Sequence, residues 1–313
     1  MRRGERLALA RLLTWIEHGD ERADHVERDL DLSHDGTVVV GITGAPGAGK
    51  STLVSGMTRR LRLRGETVGV LAVDPSSATT GGALLGDRVR MGEHLTDQGV
   101  FIRSMANRGQ LGGLAAAVPG AVRAMIAFGF DWVIVETVGV GQLEIDVINQ
   151  VDTTLVLVAP GGGDDVQAVK SGIMEIADIL VVNKSDLPGA DRTVRELTAT
   201  VRLGRPEAGA WRTPVVATNS EDCDGLEALL ASVVEHLRHI TGSGVLDERR
   251  RDRRLHEWQA GLLRQFAHLA REVCEGGFDE GKLLAAVQSG ETPPAAAALA
   301  VRRRVDAALR IDT

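Results

Sequence analysis

The chain has 313 residues, 43% of them hydrophobic, enough to bury one large domain or a domain with appendages. A formal charge of -7, five phenylalanines, four tryptophans and no tyrosine argue against a single-stranded nucleic-acid binder, which needs a basic groove and stacking platforms. No apolar run is long enough to span a bilayer, and no signal-like segment follows the early arginines. A cytoplasmic protein with no membrane or nucleic-acid partner is therefore expected. Cys223 and Cys274 lie far apart outside any C-x-x-C unit and read as buried free thiols.

Residues 1–36 read as a helical N-terminal extension. Leu7, Leu9, Ala10, Leu12, Leu13 and Ile16 form a helical stripe, and His18-Gly19-Asp20 breaks it. From Thr37 to about residue 240, strands and helices alternate. The apolar runs are Val38–Ile42, Val68–Val73, Val100–Ile102, Trp132–Val135, Leu155–Val158, Ile179–Val182 and Pro214–Ala217. Helical patterns cover Thr52–Leu63, Leu114–Phe128, Val166–Ile176 and Arg192–Val201. Continuous apolar strands separated by helices predict an α/β fold: a mostly parallel sheet with helices on both faces and a ligand crevice at the strands' carboxyl ends.

The first strand runs into Gly44-Ala45-Pro46-Gly47-Ala48-Gly49-Lys50-Ser51, then Thr52, which fits G-x-x-x-x-G-K-[ST] at every fixed position. Glycines let backbone N–H groups turn toward an anion, and the N-terminus of the following helix adds partial positive charge. Lys50 is expected on the terminal phosphates and Ser51 on a magnesium ion, Mg2+.

The second strand ends at Asp74, a candidate for water positioning or water-mediated magnesium ligation. Asp87 sits in the glycine-containing stretch Thr79–Arg88. It reads either as a magnesium-linked carboxylate that arrives with the γ-phosphate or as a helix cap. Val133–Gly139 ends a strand in E-x-x-G. Glu136 would hold magnesium through water, and the Gly139 N–H would donate to the γ-phosphate. Gln142 follows as a weaker candidate for orienting water. Ala159–Lys170 forms a second glycine loop, with Gln167 and Lys170, read as a switch element that senses a partner protein.

Asn183-Lys184-Ser185-Asp186 follows the strand Ile179–Val182 and matches the guanine-reading tetrad N-K-x-D. The Asp186 carboxylate accepts from the ring N–H and the exocyclic amine of guanine. Adenine would leave it unpaired, a loss of about 1–3 kcal/mol. GTP/GDP binding over ATP is therefore expected. Thr218, Asn219 and Ser220, after the last strand, are donors available where the chain should close over the base.

Past Ile240, Thr241–Gly244 reads as a link to a helical C-terminal arm, 241–313, patterned as Leu246–Cys274, Gly281–Ser289 and Pro293–Ile311. The basic cluster Arg249–Arg254 reads as a solvated helix face, and the arm as a dimerisation element, making the protein a homodimer.

Taken together, Gly44–Thr52, Val73–Ser77, Gly81–Met91, Phe101–Gly113, Glu136–Glu144, Asp164–Lys170 and Asn183–Asp186 resemble the MeaB/ArgK-type P-loop GTPases, the methylmalonyl-CoA mutase-associated chaperones. The resemblance implies a P-loop NTPase fold of the SIMIBI class with a C-terminal dimerisation arm. It implies an adenosylcobalamin-dependent acyl-CoA mutase as partner, with cobalamin delivered from an adenosyltransferase under the control of GTP hydrolysis. It assigns Lys50 and Ser51 to phosphate and magnesium. Asp74, Asp87 and Glu136 become the magnesium and catalytic acid set, and Gln167 and Lys170 fall in a switch loop that communicates with the mutase. The stretch Thr218–Asp224 departs from the family's usual loop. Slow intrinsic hydrolysis, accelerated by the mutase, follows from the lack of a clear arginine finger; Arg103 and Arg108 are the candidates. The rival readings are a kinase or ATPase acting on a transport-binding protein and a metal-insertion GTPase. Eight scattered histidines, His236 and His239 among them, form no metal motif.

Overall fold

The computed structural model describes residues 5–30, 36–74, 92–94, 96–106, 113–137, 150–161, 176–203, 209–275 and 280–309. The chain opens with α1 (Arg6–His18) and α2 (Glu21–Arg28). Gly19 adopts φ 61°, and its N–H caps α1. Asp20 then caps α2 by accepting from the Arg22 N–H. The predicted break at His18-Gly19-Asp20 is therefore a left-handed C-cap followed at once by an N-cap.

The sheet follows as β1 (Val38–Gly44), β2 (Val68–Asp74), β3 (Val100–Ala106), β4 (Trp132–Thr137), β5 (Thr153–Val158), β6 (Ile179–Val182) and β7 (Val215–Ala217). Every named pairing is parallel, and the seven strands lie in the order β3-β2-β4-β1-β5-β6-β7. Six of the seven strands hold the run predicted for them, and several extend further at their carboxyl ends; β7 starts one residue after the predicted Pro214. The helices between them are α3 (Lys50–Leu63), α4 (Gly113–Phe128), α5 (Ala190–Leu203) and α6 (Leu226–Gly242). The predicted helix Val166–Ile176 lies almost wholly outside the described residues.

Both faces of the sheet's central strands are dry because β1, β2, β4, β5 and β6 are buried at odd and even positions alike. Val39, Val133, Val135, Leu71 and Val73 face a core built with α1 and α4, including Leu9, Leu12, Leu13, Val118, Ala121 and Met125. Val40, Ile42, Ile134, Leu155, Leu157 and Val181 face the opposite core with α3 and α6, including Leu53, Val54, Met57, Leu226 and Leu230. The N-terminal extension is thus a cover for one face of the sheet. Burying each such valine, leucine, isoleucine or methionine side chain contributes about 1.5–3 kcal/mol.

The C-terminal helices are α7 (Val245–Glu275), α8 (Glu280–Gln288) and α9 (Pro294–Leu309). The chain divides into two compact units, Met1–Arg253 and Arg254–Thr313. The first keeps the opening turns of α7 for a reason the sequence did not disclose. Arg249 donates to both oxygens of Asp178 at 3.2 and 3.0 Å. Arg250 donates to Asp152 at 2.8 Å, and Arg253 pairs with the other oxygen of the same carboxylate. The basic cluster is therefore solvated only in part; three of its arginines neutralise aspartates at the amino ends of β5 and β6. Among the described residues, no helix is long and apolar enough to cross a membrane.

Candidate nucleotide-binding site

The turn from β1 into α3 depends on glycine at two points. Gly44 has φ 149°, and a Cβ there would come within 2.4 Å of the Leu157 carbonyl oxygen on β5. Gly49 has φ 91°, and its Cβ would lie 2.4 Å from the Asn183 side-chain nitrogen. Pro46 and Gly47 are exposed at the loop's crest, whereas Ala45 and Ala48 are buried beneath it. Helix α3 begins at Lys50, so its unpaired N–H groups open toward the loop.

Lys50 is buried and folds over the loop, donating to the Gly44 carbonyl at 2.6 Å and the Ala45 carbonyl at 3.0 Å. A terminal phosphate would offer this ammonium charged acceptors in place of neutral ones, which is the stronger bond. Ser51, one residue on, donates to Glu136 Oε1 at 2.5 Å. Glu136 is buried at the end of β4, where the register sets it beside Ile42 of β1. Its neighbour Thr137 donates to Thr43 at 3.0 Å, a buried hydroxyl pair joining the same two strands. The sheet thus brings together two members of the expected magnesium set that lie far apart in sequence. Asp74 closes β2 opposite Ala106 of β3, at the carboxyl end of the sheet where it was expected. Its side chain is outside the described residues, as are Asp87, Gly139, Gln142, Gln167, Lys170 and Arg108.

At the other end of the crevice, Asn183 acts as a hub with 1% exposure. Its amide donates to the Ala48 carbonyl of the phosphate loop at 2.9 Å. Its oxygen accepts from the Thr218 hydroxyl at 3.1 Å and from the Ser220 hydroxyl and N–H at 2.6 and 3.3 Å. Lys184 takes a left-handed φ of 56°, which turns the chain outward and leaves Asp186 exposed. The Ser185 N–H donates to the Thr218 carbonyl at 3.0 Å, tying that turn to the loop after β7.

Thr218 and Asn219 are present at this end, each with a side-chain donor already engaged. The Thr218 hydroxyl serves Asn183, and the Asn219 amide donates to Asp222 at 2.7 Å. Ser220 contributes more to the architecture than its place in the sequence suggested. Only the spatial meeting of β6, β7 and the phosphate loop reveals it as a second support for Asn183.

Arg103 departs from the sequence expectation. It donates to Glu17 of α1 at 2.5 Å and to Thr14 at 3.2 Å, with the Glu17 side chain only 1% exposed. Its strand position points it at the N-terminal helix, so it serves that packing rather than the crevice. His236 is buried, 2.8 Å from the Thr153 hydroxyl and 3.2 Å from Asp178, and Trp211 packs against both His236 and His239. The histidine pair is thus a packed one. Burial alone would raise the Asp178 carboxyl, but hydrogen bonds and charge from His236 and Arg249 outweigh it and hold the group below the ordinary value.

These features (a glycine cradle with its lysine, a serine–glutamate pair and an N-K-x-D turn, ordered along the carboxyl edge of a parallel sheet) agree with comparisons to known proteins. The family model described as "Methylmalonyl Co-A mutase-associated GTPase MeaB" matches residues 9–273. A Pyrococcus abyssi protein whose name carries the word GTPase is 49% identical over 256 residues, covering 81% of this chain and 79% of its own. The Mus musculus "Methylmalonic aciduria type A homolog, mitochondrial" is 35% identical over 79% of this chain and 64% of its own length. The crystal structure of a "LAO/AO transport system kinase" aligns at 25% identity with a TM-score of 0.68, over 97% of this chain and 94% of that one. Motif, fold and family match together show that the chain is a GTPase belonging to the MeaB family.

Proposed function

We propose that this GTPase is a chaperone of an adenosylcobalamin-dependent acyl-CoA mutase, such as methylmalonyl-CoA mutase, gating cobalamin loading and protecting the mutase. The family match over residues 9–273 carries the reading, since the family is described by its association with that mutase. In this reading the adenosyltransferase supplies the cofactor, and the protein works in the cytoplasm.

The site residues take the following roles. Gly44 to Thr52 wrap the phosphates, and Lys50 exchanges its two carbonyl partners for phosphate oxygens. Asn183 and Lys184 shape the base end, Asp186 reads guanine, and Thr218 and Asn219 border it. The Ser51 hydroxyl and the Glu136 carboxylate form an all-oxygen pair suited to a hard cation such as magnesium. Magnesium, when bound, neutralises charge on the β- and γ-phosphates. Asp74 and Asp87 complete the acid set, Gly139 meets the γ-phosphate, and Gln167 and Lys170 report to the partner.

Hydrolysis by the isolated chain is slow in this reading and rises when the mutase binds. The engagement of Arg103 with Glu17 supports it, because one candidate for an internal arginine finger is already committed. Arginine fingers supply roughly 10³–10⁵-fold in such enzymes. GTP turnover measured with and without purified mutase tests the proposal; equal rates would end it. The structural relative is described as a transport system kinase, which keeps phosphoryl transfer to a transport-binding protein as the alternative. Labelled GTP and ATP supplied with such a protein would show transfer if that reading held.

The arm, residues 241–313, is proposed to join two copies. Leu255, Trp258, Leu262 and Phe266 are all exposed on α7, spaced three, four and four residues apart, and so share one helix face. A stripe of large apolar side chains in water is a surface that a second copy can cover.

A further inference from the structure

The geometry points to Gly56 as a positioning residue for guanine binding, a role that rests on the guanine reading of Asp186. Gly56 is buried in α3, the helix that begins with Lys50 and Ser51. A Cβ there would lie 2.8 Å from Leu226 Cδ1 and 3.2 Å from the Ser220 carbonyl oxygen. The first distance is shorter than real Cβ contacts, and the second meets backbone that cannot rotate away. Leu226 is itself fully buried at the start of α6, so it has little room to yield. The missing methyl is what lets the loop after β7 sit directly on the phosphate-binding helix.

That loop is stiff. Asn219 and Asp224 exchange two backbone hydrogen bonds at 3.1 and 3.0 Å. Cys223 holds φ 60°, and Gly225 holds φ 72°, where a Cβ would meet the Ala217 carbonyl at 2.2 Å. Arg60, one turn beyond Gly56, donates to the Cys223 carbonyl at 3.3 Å and fastens the loop's far side. A push at the Ser220 carbonyl is therefore not absorbed locally. The same residue donates twice to Asn183, and Thr218 holds the Ser185 N–H next to Asp186. The base reader thus hangs from a loop whose height above α3 is set by the absence of a side chain at position 56. Recognition of guanine by one carboxylate depends on placement at hydrogen-bond precision, so a shift of a few tenths of an ångström weakens discrimination between bases, whereas any change passed through Asn183 to the phosphate loop affects GDP and ADP alike and cancels in their ratio.

The test titrates the full chain with GDP and with ADP by calorimetry, for wild type, Gly56→Ala and Arg60→Ala, alongside melting without nucleotide. Overpacking at position 56 is expected to lower the GDP-to-ADP affinity ratio by about tenfold. Arg60→Ala removes a fastening without adding bulk and is expected to lower the ratio by about threefold with only a small drop in melting temperature. If Gly56→Ala does not fold, Arg60→Ala decides. A melting loss with the ratio intact would make Gly56 a packing residue only and overturn the inference. A wild type without preference for GDP would remove the guanine reading, and this inference with it. Wild-type preference that both variants preserve would remove this inference alone.

Discussion

Asp186 stands exposed on a turn that Lys184 throws outward with its left-handed backbone, so its carboxylate is presented to solvent where a base can reach it. An asparagine there would offer one acceptor and one donor, matching the ring carbonyl of xanthine instead of the amine of guanine. Asp186→Asn is expected to weaken GDP binding by roughly tenfold to a hundredfold, the loss of a charge-assisted bond pair, and to raise affinity for xanthine nucleotides. Competition titration of GDP against XDP measures it; unchanged selectivity would take the base-reading role away from this residue. Candidate residues could be named from the sequence wherever one motif carries its own chemistry, as in Lys50, Ser51, Asn183 and Asp186. It was not legible where a role depends on a meeting across the sheet. Nothing in the string marks Ser220 as a support for Asn183, or Arg103 as the partner of Glu17, because both pairings are created by strand order.

The opening turns of α7 show the same limit at the level of an element. Six residues, Arg249 to Arg254, look like a water-facing basic run, yet Arg249, Arg250 and Arg253 reach carboxylates that precede β5 and β6. Asp152 is 1% exposed, and burying a carboxylate is costly unless it is paired, which those partners provide. Asp178 is held below the ordinary carboxylate range because His236 and Arg249 outweigh its burial. A depressed folded-state value means that the carboxylate contributes stability above its unfolded value of about 3.9, and that this contribution is lost as pH falls through the folded value. Asp178→Asn is expected to cost about 2 kcal/mol in urea unfolding at neutral pH. The gap between wild type and variant should narrow progressively below about pH 4 as the wild-type carboxyl takes up its proton. A gap that stays constant down to about pH 2.5 would show that charge at Asp178 contributes little. The strands were legible to within a few residues, since continuous apolar runs of three to six residues between amphipathic stretches have few other ways to fold; the helix α6, Leu226–Gly242, was not read from the sequence.

Across the whole molecule, the apolar stripe on α7 bears on assembly. Trp258→Asp combined with Leu262→Asp places charge in the middle of that stripe and leaves the P-loop unit untouched. The double variant is expected to sediment as a monomer while GDP affinity stays within twofold, given that neither residue belongs to the nucleotide site. A dimer of undiminished strength would remove the arm as the contact surface. By itself, the amino-acid sequence determined the alternating architecture and named candidates for the two ends of a nucleotide site. Periodicity, glycine at forced backbone angles and donor–acceptor matching are local properties, complete within a dozen residues. Only the tertiary structure decided which distant groups became neighbours. It set Glu136 against Ser51, turned Arg103 toward α1, gave the α7 arginines to Asp152 and Asp178, and left no room for a methyl group at Gly56. Those outcomes depend on strand order and helix seating, which follow from packing the whole chain at once, and no short stretch of it encodes them.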